Sequence, residues 1–360
     1  MALATPQLGA TGAWQSGILY ITYTSSALIG ATYVVKQLGA RDALYVGMGL
    51  YCVYVGCFVL ALIWPASKHV VALLGGAIGG VGAGFLWTAQ GSYFARCSEL
   101  HANFLQQSES TSTASLAGTF AFFYLAIEVV VRLLSTFLLE LGGTSWEIIF
   151  GIYTTIAIGS TLGMRLLVQD FGVSQASTTN EESDSWWYKL TAASQLLFKD
   201  PKMKYMIGLN STFGLVAAFL NSYVNSQVLA VALGDTDSRY VGMFSSWVSA
   251  LAAGMSLVFG KVAPKSGKGP ILILGTLCFF FEVFLFVLIP DLRRWGWILV
   301  TLVYSLHAVG RSTFEGTLKA TFADFFPNEK EGAFANINLQ NGLSGAIGYI
   351  SKWTLSLCGH

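Results

Sequence analysis

Residues Val70–Tyr93 read VVALLGGAIGGVGAGFLWTAQGSY, a stretch without one charged side chain. About 20 mostly apolar residues are enough for a helix to cross a bilayer, so this run is a spanning helix. Its glycines Gly75, Gly76, Gly79, Gly80, Gly82 and Gly84 are too many for an isolated helix and suit one that lets neighbouring backbones approach closely. A phosphate-cradling loop is excluded, because no strand precedes the run and no Lys-Ser/Thr pair follows it.

Working outward, similar runs occur at 14–35, 44–64, 114–138 and 148–168 on one side of a polar break, and at 205–229, 240–262, 271–289, 295–318 and 334–357 beyond it. With the opening stretch these make about ten spans, the last being the most polar. The composition agrees: 54% of the 360 residues are hydrophobic, 11% are charged and the mean hydropathy is +0.60, which no water-soluble surface provides. The fold class is all-α and polytopic. A net charge of +1 excludes a basic field for nucleic acid, and the lipid bilayer is the first partner.

The break, 169–204, contains a Ser/Thr/Asn/Glu-rich core at Ser174–Ser185 with the composition of a flexible linker. It separates an N-terminal half, 1–168, from a C-terminal half, 205–360, of five spans each. Behind the core, Trp186, Trp187, Tyr188, Leu190, Leu196, Leu197 and Phe198 form an amphipathic pattern suited to a membrane interface. A linker that docks nowhere is the competing reading.

Basic loops stay on the cytoplasmic side. Of twenty Lys and Arg, thirteen fall in one set of loops (Lys36, Arg41, Arg96, Arg165, Lys189, Lys199, Lys202, Lys204, Lys261, Lys265, Lys268, Lys319, Lys330) and four in the other (Lys68, Arg239, Arg293, Arg294). The linker is therefore expected on the cytoplasmic side of a plasma membrane or endomembrane, with both termini opposite. The first dozen residues lack the basic and apolar regions of a cleavable signal.

The halves look like parallel copies, as in many transporters. Val35–Arg41 after the first span and Gly260–Lys268 after the seventh are both short, basic, glycine-bearing turns; Gly82–Gly91 and Gly310–Gly316 are both glycine-bearing, polar-studded ends of spans. Gly84–Tyr93 resembles the signature of the Unc-ninety-three-like (ion channel regulatory protein) family, a branch of the major facilitator superfamily. The likeness extends through Leu38–Arg41, Gly49–Tyr51 and the Gly310–Lys319 stretch. It implies a fold of two pseudo-symmetric six-helix halves, of which this chain matches from the second span through the eleventh, the first and last being absent.

An ionisable side chain at membrane depth costs about 2.5–3.5 kcal/mol on insertion scales and normally faces the protein interior. Glu128 and Arg132 are spaced i, i+4 on one helix face. Arg311, Glu315 and Lys319 repeat that spacing twice, a charged ladder that serves either a solute site or a gate. His307, one turn before Arg311, is a candidate proton relay or a neutral buried imidazole. The last span adds Asn336, Asn338, Gln340, Asn341 and Lys352, with Lys352 near the repeat position of Arg132, a pairing suited to an anion; Lys352 is alternatively a partner of Glu128. Asn221 and Asn225 are cavity-lining candidates or interhelical hydrogen-bonding residues. Gln90 lies in the signature itself. Enzyme motifs, cofactor-binding motifs and a metal-ligand cluster are not read in the chain; the five cysteines are scattered in apolar runs.

Two functions remain open: a small-solute or ion transporter working by alternating access, or, as the resemblance implies, a non-transporting regulator or trafficking partner of other membrane proteins such as potassium channels.

Overall fold

The structure, a computed structural model, describes residues 8, 10–140, 144–172, 186–235 and 239–358. The Ser174–Ser185 linker core lies outside these residues.

Among the described residues the helices are α1 (Ala10–Ile29), α2 (Ala31–Leu38), α3 (Ala40–Ile63), α4 (Lys68–Leu105), α5 (Glu109–Glu140), α6 (Trp146–Leu167), α7 (Trp186–Lys199), α8 (Pro201–Leu233), α9 (Arg239–Ser266), α10 (Gly269–Leu288), α11 (Trp297–Ser312 continuing through Thr313–Leu318 into Lys319–Phe325) and α12 (Lys330–Cys358). Seven are long and apolar enough to cross a membrane, or eight if α1 and α2, bent by 57°, are one broken span. Two of the expected ten, α11 and α12, are long enough but interrupt their apolar runs with His307, Arg311 and Glu315 or with Asn336, Asn338, Gln340 and Asn341. The third span continues as helix to Leu105 and the fourth begins at Glu109, so both reach past their apolar stretches. The amphipathic pattern after the linker core is helical, α7.

The helices gather into two compact units. One holds Met1–Ala95, Thr144–Ser211 and Phe326–Ile350; the other holds Arg96–Gly143, Thr212–Phe325 and Ser351–His360.

In the first unit the glycines of α4 do what the opening stretch required. A Cβ on Gly80 would fall 1.9 Å from Thr22 Oγ1, one on Gly84 2.1 Å from Ser26 Oγ, and one on Gly76 2.7 Å from the Gln15 carbonyl. This four-residue rhythm seats α1 along α4. Gly75, Gly79 and Gly82 similarly meet Cys57, Tyr54 and Leu50 of α3. Lipid tails are as apolar as the protein, so such close packing, rather than hydrophobic burial, holds spanning helices together. The turn from α2 to α3 passes through Gly39 at φ 81°, ψ 160°, a region open essentially to glycine alone. Beside it Asp42 accepts from Arg41 Nε at 2.9 Å and Arg165 Nη1 at 2.5 Å, while Arg41 Nη2 pairs with Asp170 at 3.0 Å.

In the second unit α5 crosses α9 at facing glycines: a Cβ on Gly118 would lie 2.6 Å from the Ser256 carbonyl and 2.8 Å from Gly260 Cα. The core around them includes Leu125, Val224, Phe244, Val303 and Tyr304. The turn from α9 to α10 again uses a left-handed glycine, Gly267 at φ 80°. Next to it Lys268 Nζ reaches Asp324 Oδ2 at 2.5 Å and Thr113 Oγ1 at 2.8 Å. Burial pulls the Lys268 ammonium below the ordinary lysine range, and its hydrogen bond to Asp324 acts in the opposite direction. Large apolar side chains, including Phe123, Ile127, Val130, Ile273, Phe280 and Val287, point out of the unit, as expected of a surface solvated by lipid.

Candidate functional site

The charged candidates of α5 and α11 come together inside the second unit. Arg311 Nη2 donates to Glu128 Oε2 at 2.6 Å and Nη1 to Oε1 at 3.4 Å, a two-pronged pairing; Nη1 also donates to Ser249 Oγ of α9 at 3.5 Å. Arg132, one turn beyond Glu128, donates to the same Oε1. Both Glu128 oxygens are thus engaged by guanidinium forks, the geometry that recovers the most from desolvating a charge pair. The three side chains sum to one positive charge.

The predicted ladder is not continuous. Thr313–Leu318 winds as a π segment, in which hydrogen bonds run i to i+5. Arg311 turns to Glu128 on α5. Glu315 instead pairs with Lys319, Oε2 to Nζ 2.9 Å, and that ammonium also lies 5.6 Å from the Phe120 ring centroid. Arg311 and the Glu315–Lys319 pair thus have different hydrogen-bonding partners, with Glu315 inside the π segment.

A second π segment, Leu220–Val228, carries Asn221 and Asn225. Asn225 Oδ1 accepts from Tyr304 Oη at 2.5 Å, and its Nδ2 donates to Asn221 Oδ1 at 3.5 Å. His307 does not join Arg311: its Nδ1 faces both oxygens of Glu282 on α10, at 3.2 and 3.1 Å. The sequence reading missed Glu282. The available signal was plain, a lone acid inside the otherwise uncharged Ile271–Ile289 run, and the same membrane-depth cost that picked out Glu128 applies to it.

In the first unit the polar residues of α12 act as interhelical links. Asn338 Nδ2 donates to Thr88 Oγ1 at 3.0 Å, Asn336 Nδ2 to the Ala193 carbonyl at 2.8 Å, and Gln340 Oε1 accepts from Asn210 Nδ2 at 2.6 Å. Thr88 belongs to the Gly84–Tyr93 motif, so that motif is a packing seam for α12, with Phe334 lying on Gly91. Gln90 Oε1 is buried without a hydrogen-bond partner among the described residues, as are Ser92 Oγ of the same motif and the Oδ1 atoms of Asn336 and Asn341 on α12. Lys352 sits on the helical backbone of α12, and its side chain lies outside the described residues.

Comparison with known proteins places this arrangement. The family model described as Major Facilitator Superfamily matches residues 3–349. The chain belongs to the Major Facilitator Superfamily. Within that superfamily the facilitator is 26% identical over 214 residues to the human protein unc-93 homolog A, a match covering 59% of this chain and 45% of the relative. It is 23% identical to the bovine protein of the same name, covering 92% of this chain and 78% of the relative. Both relatives bear the name of the family that the Gly84–Tyr93 stretch resembles, at low identity. Among solved structures, the human organic anion transporter MFSD10 superposes with a TM-score of 0.66 at 12% identity, covering 94% of this chain and 76% of that one. The fucose:proton symporter FucP of E. coli superposes with a TM-score of 0.64 at 15% identity, covering 99% and 89%. At such identities these likenesses establish the facilitator fold.

Proposed function

We propose that this facilitator carries a small solute across a bilayer by alternating access, the halves 1–168 and 205–360 moving about the cytoplasmic linker 169–204. The observation that carries the reading is Arg311, held in the interior by Glu128 and Ser249 immediately before a π segment. An expensive buried charge at a point where regular winding breaks is a pattern of functional rather than packing residues. Because Arg132 and Arg311 share one carboxylate, the cluster favours a solute bearing an anionic group. The test is uptake into proteoliposomes screened across inorganic ions and small organic acids: an anion accumulates with wild type, and Glu128→Gln, which leaves two guanidinium groups facing a neutral amide, lowers its uptake at least about tenfold.

A second reading, a regulator that binds other membrane proteins without transport, is favoured by the saturation of Glu128: with both oxygens taken, the cluster suits a fixed lock as well as a site. Folded, reconstituted protein that accumulates none of the screened solutes would favour it.

A further inference from the structure

Glu282 and His307 form the most completely enclosed ion pair among the described residues of the second unit. Their side chains are 0% and 4% exposed, and the imidazole Nδ1 lies within hydrogen-bond distance of both carboxylate oxygens. An isolated carboxylate in such surroundings is very costly. One proton shared between the two groups removes that cost, because the pair is then neutral whether the proton sits on oxygen or makes the ring an imidazolium beside a carboxylate.

What surrounds the pair differs by side. Towards the π segment of α11 it is walled by rings: Phe279 lies 5.6 Å from the His307 ring, and Phe213, Phe279 and Phe314 pack on one another at 5.2–6.3 Å. Towards the start of α11 the neighbours are polar. Tyr304, one turn before His307 and within electrostatic reach of Glu282, hydrogen-bonds to Asn225, which bonds to the exposed Asn221. Both asparagines lie in the π-wound segment Leu220–Val228.

We propose that Glu282 and His307 are a proton-binding site, holding one exchangeable proton between carboxylate oxygen and Nδ1, reached from the exposed Asn221 along Asn225 and Tyr304. When the pair releases its proton the acceptor is water admitted along this line, and the carboxylate is left beside a neutral ring; uptake reverses the step. The remaining titratable groups around the pair do not supply a competing counter-charge. Cys278 is the other one on the pair's face of α10. On α11 Tyr304 is neutral, Arg311 is met by Glu128 of α5, and Glu315 by Lys319. From α8 Tyr223 packs on Phe286, and Asp235 beyond it is within electrostatic reach of Tyr304. On α9 Lys261 and Lys265 are exposed at its far end. If the transport reading holds, this site is where solute movement meets the proton gradient, but proton binding stands or falls without it.

The test uses the full chain in nanodiscs with 15N-labelled histidine, feasible because the chain has four histidines; His307→Gln assigns the ring signals. The expected result is a His307 ring whose nitrogen shifts change between pH 5 and pH 9, with a midpoint that Glu282→Gln moves by about one pH unit, a tenfold change in proton affinity. Glu282→Asp, which keeps the acid one methylene farther back, gives a smaller displacement and serves if the amide variant does not fold. Tyr304→Phe slows solvent exchange of the Nδ1 proton about tenfold by removing one hydrogen-bonding link. A His307 ring that keeps one protonation state across the range, or a midpoint indifferent to both Glu282 variants, overturns the site; unchanged exchange in Tyr304→Phe overturns the route. None of these readouts requires a transported solute.

Discussion

At the scale of the residue, the second unit concentrates its chemistry in side chains whose charges are matched by shape as well as sign. Arg311 grips Glu128 with a planar fork, and a lysine cannot reproduce that fork. Arg311→Lys is therefore expected to lower uptake about as strongly as loss of the charge itself, within tenfold of Arg311→Gln; uptake equal to wild type in Arg311→Lys would mean that only net charge counts. Glu315→Gln is expected to abolish uptake while expression stays intact, since it strands Lys319 without its 2.9 Å partner. Unchanged uptake would remove Glu315 from the site. Part of this chemistry was legible in the sequence. The i, i+4 pair Glu128 and Arg132 is local, and helix geometry alone brings it together. The partnership of Glu282 with His307 joins two helices 25 positions apart along the chain, and nothing in the spacing of either run specifies which faces meet.

At the scale of the element, the glycines of α4 and α5 are contact surfaces and their substitution has calculable consequences. Gly80→Val places atoms where Thr22 Oγ1 already stands and is expected to cost about 1–3 kcal/mol by overpacking. Gly151→Ala on α6, where a Cβ meets nothing within 4 Å, is the control and is expected to be neutral or to gain up to about 1 kcal/mol from helix propensity. Thermal unfolding in detergent read for both variants checks the contrast. A comparable loss in each would mean that glycine flexibility, and not close approach, is what the position supplies. The apolar runs foretold these helices and the small-residue seam. They did not foretell the π segments, because an extra residue in a turn leaves the composition unchanged.

At the scale of the whole molecule, composition was enough for the class of fold, since 11% charged residues leave a bilayer as the fitting solvent. Orientation rests on where Lys and Arg lie. A thiol placed by Ser177→Cys is expected to react with an impermeant maleimide from the cytoplasmic side alone; labelling from the opposite side would invert the topology.

The two left-handed glycines, Gly39 and Gly267, bear on how freely the turns they occupy can change in sequence. Each stands in a short turn next to an acid-anchored base, Arg41 and Arg165 on Asp42 in one case and Lys268 on Asp324 in the other. The charges there are exchangeable in principle, because many arrangements of opposite signs would fasten a turn. The backbone is not: at φ 81°, ψ 160° every L side chain at position 39 collides with its own chain. The side chains around position 39 are free to change while its backbone bend is not, so that turn is specified most durably where there is no side chain at all.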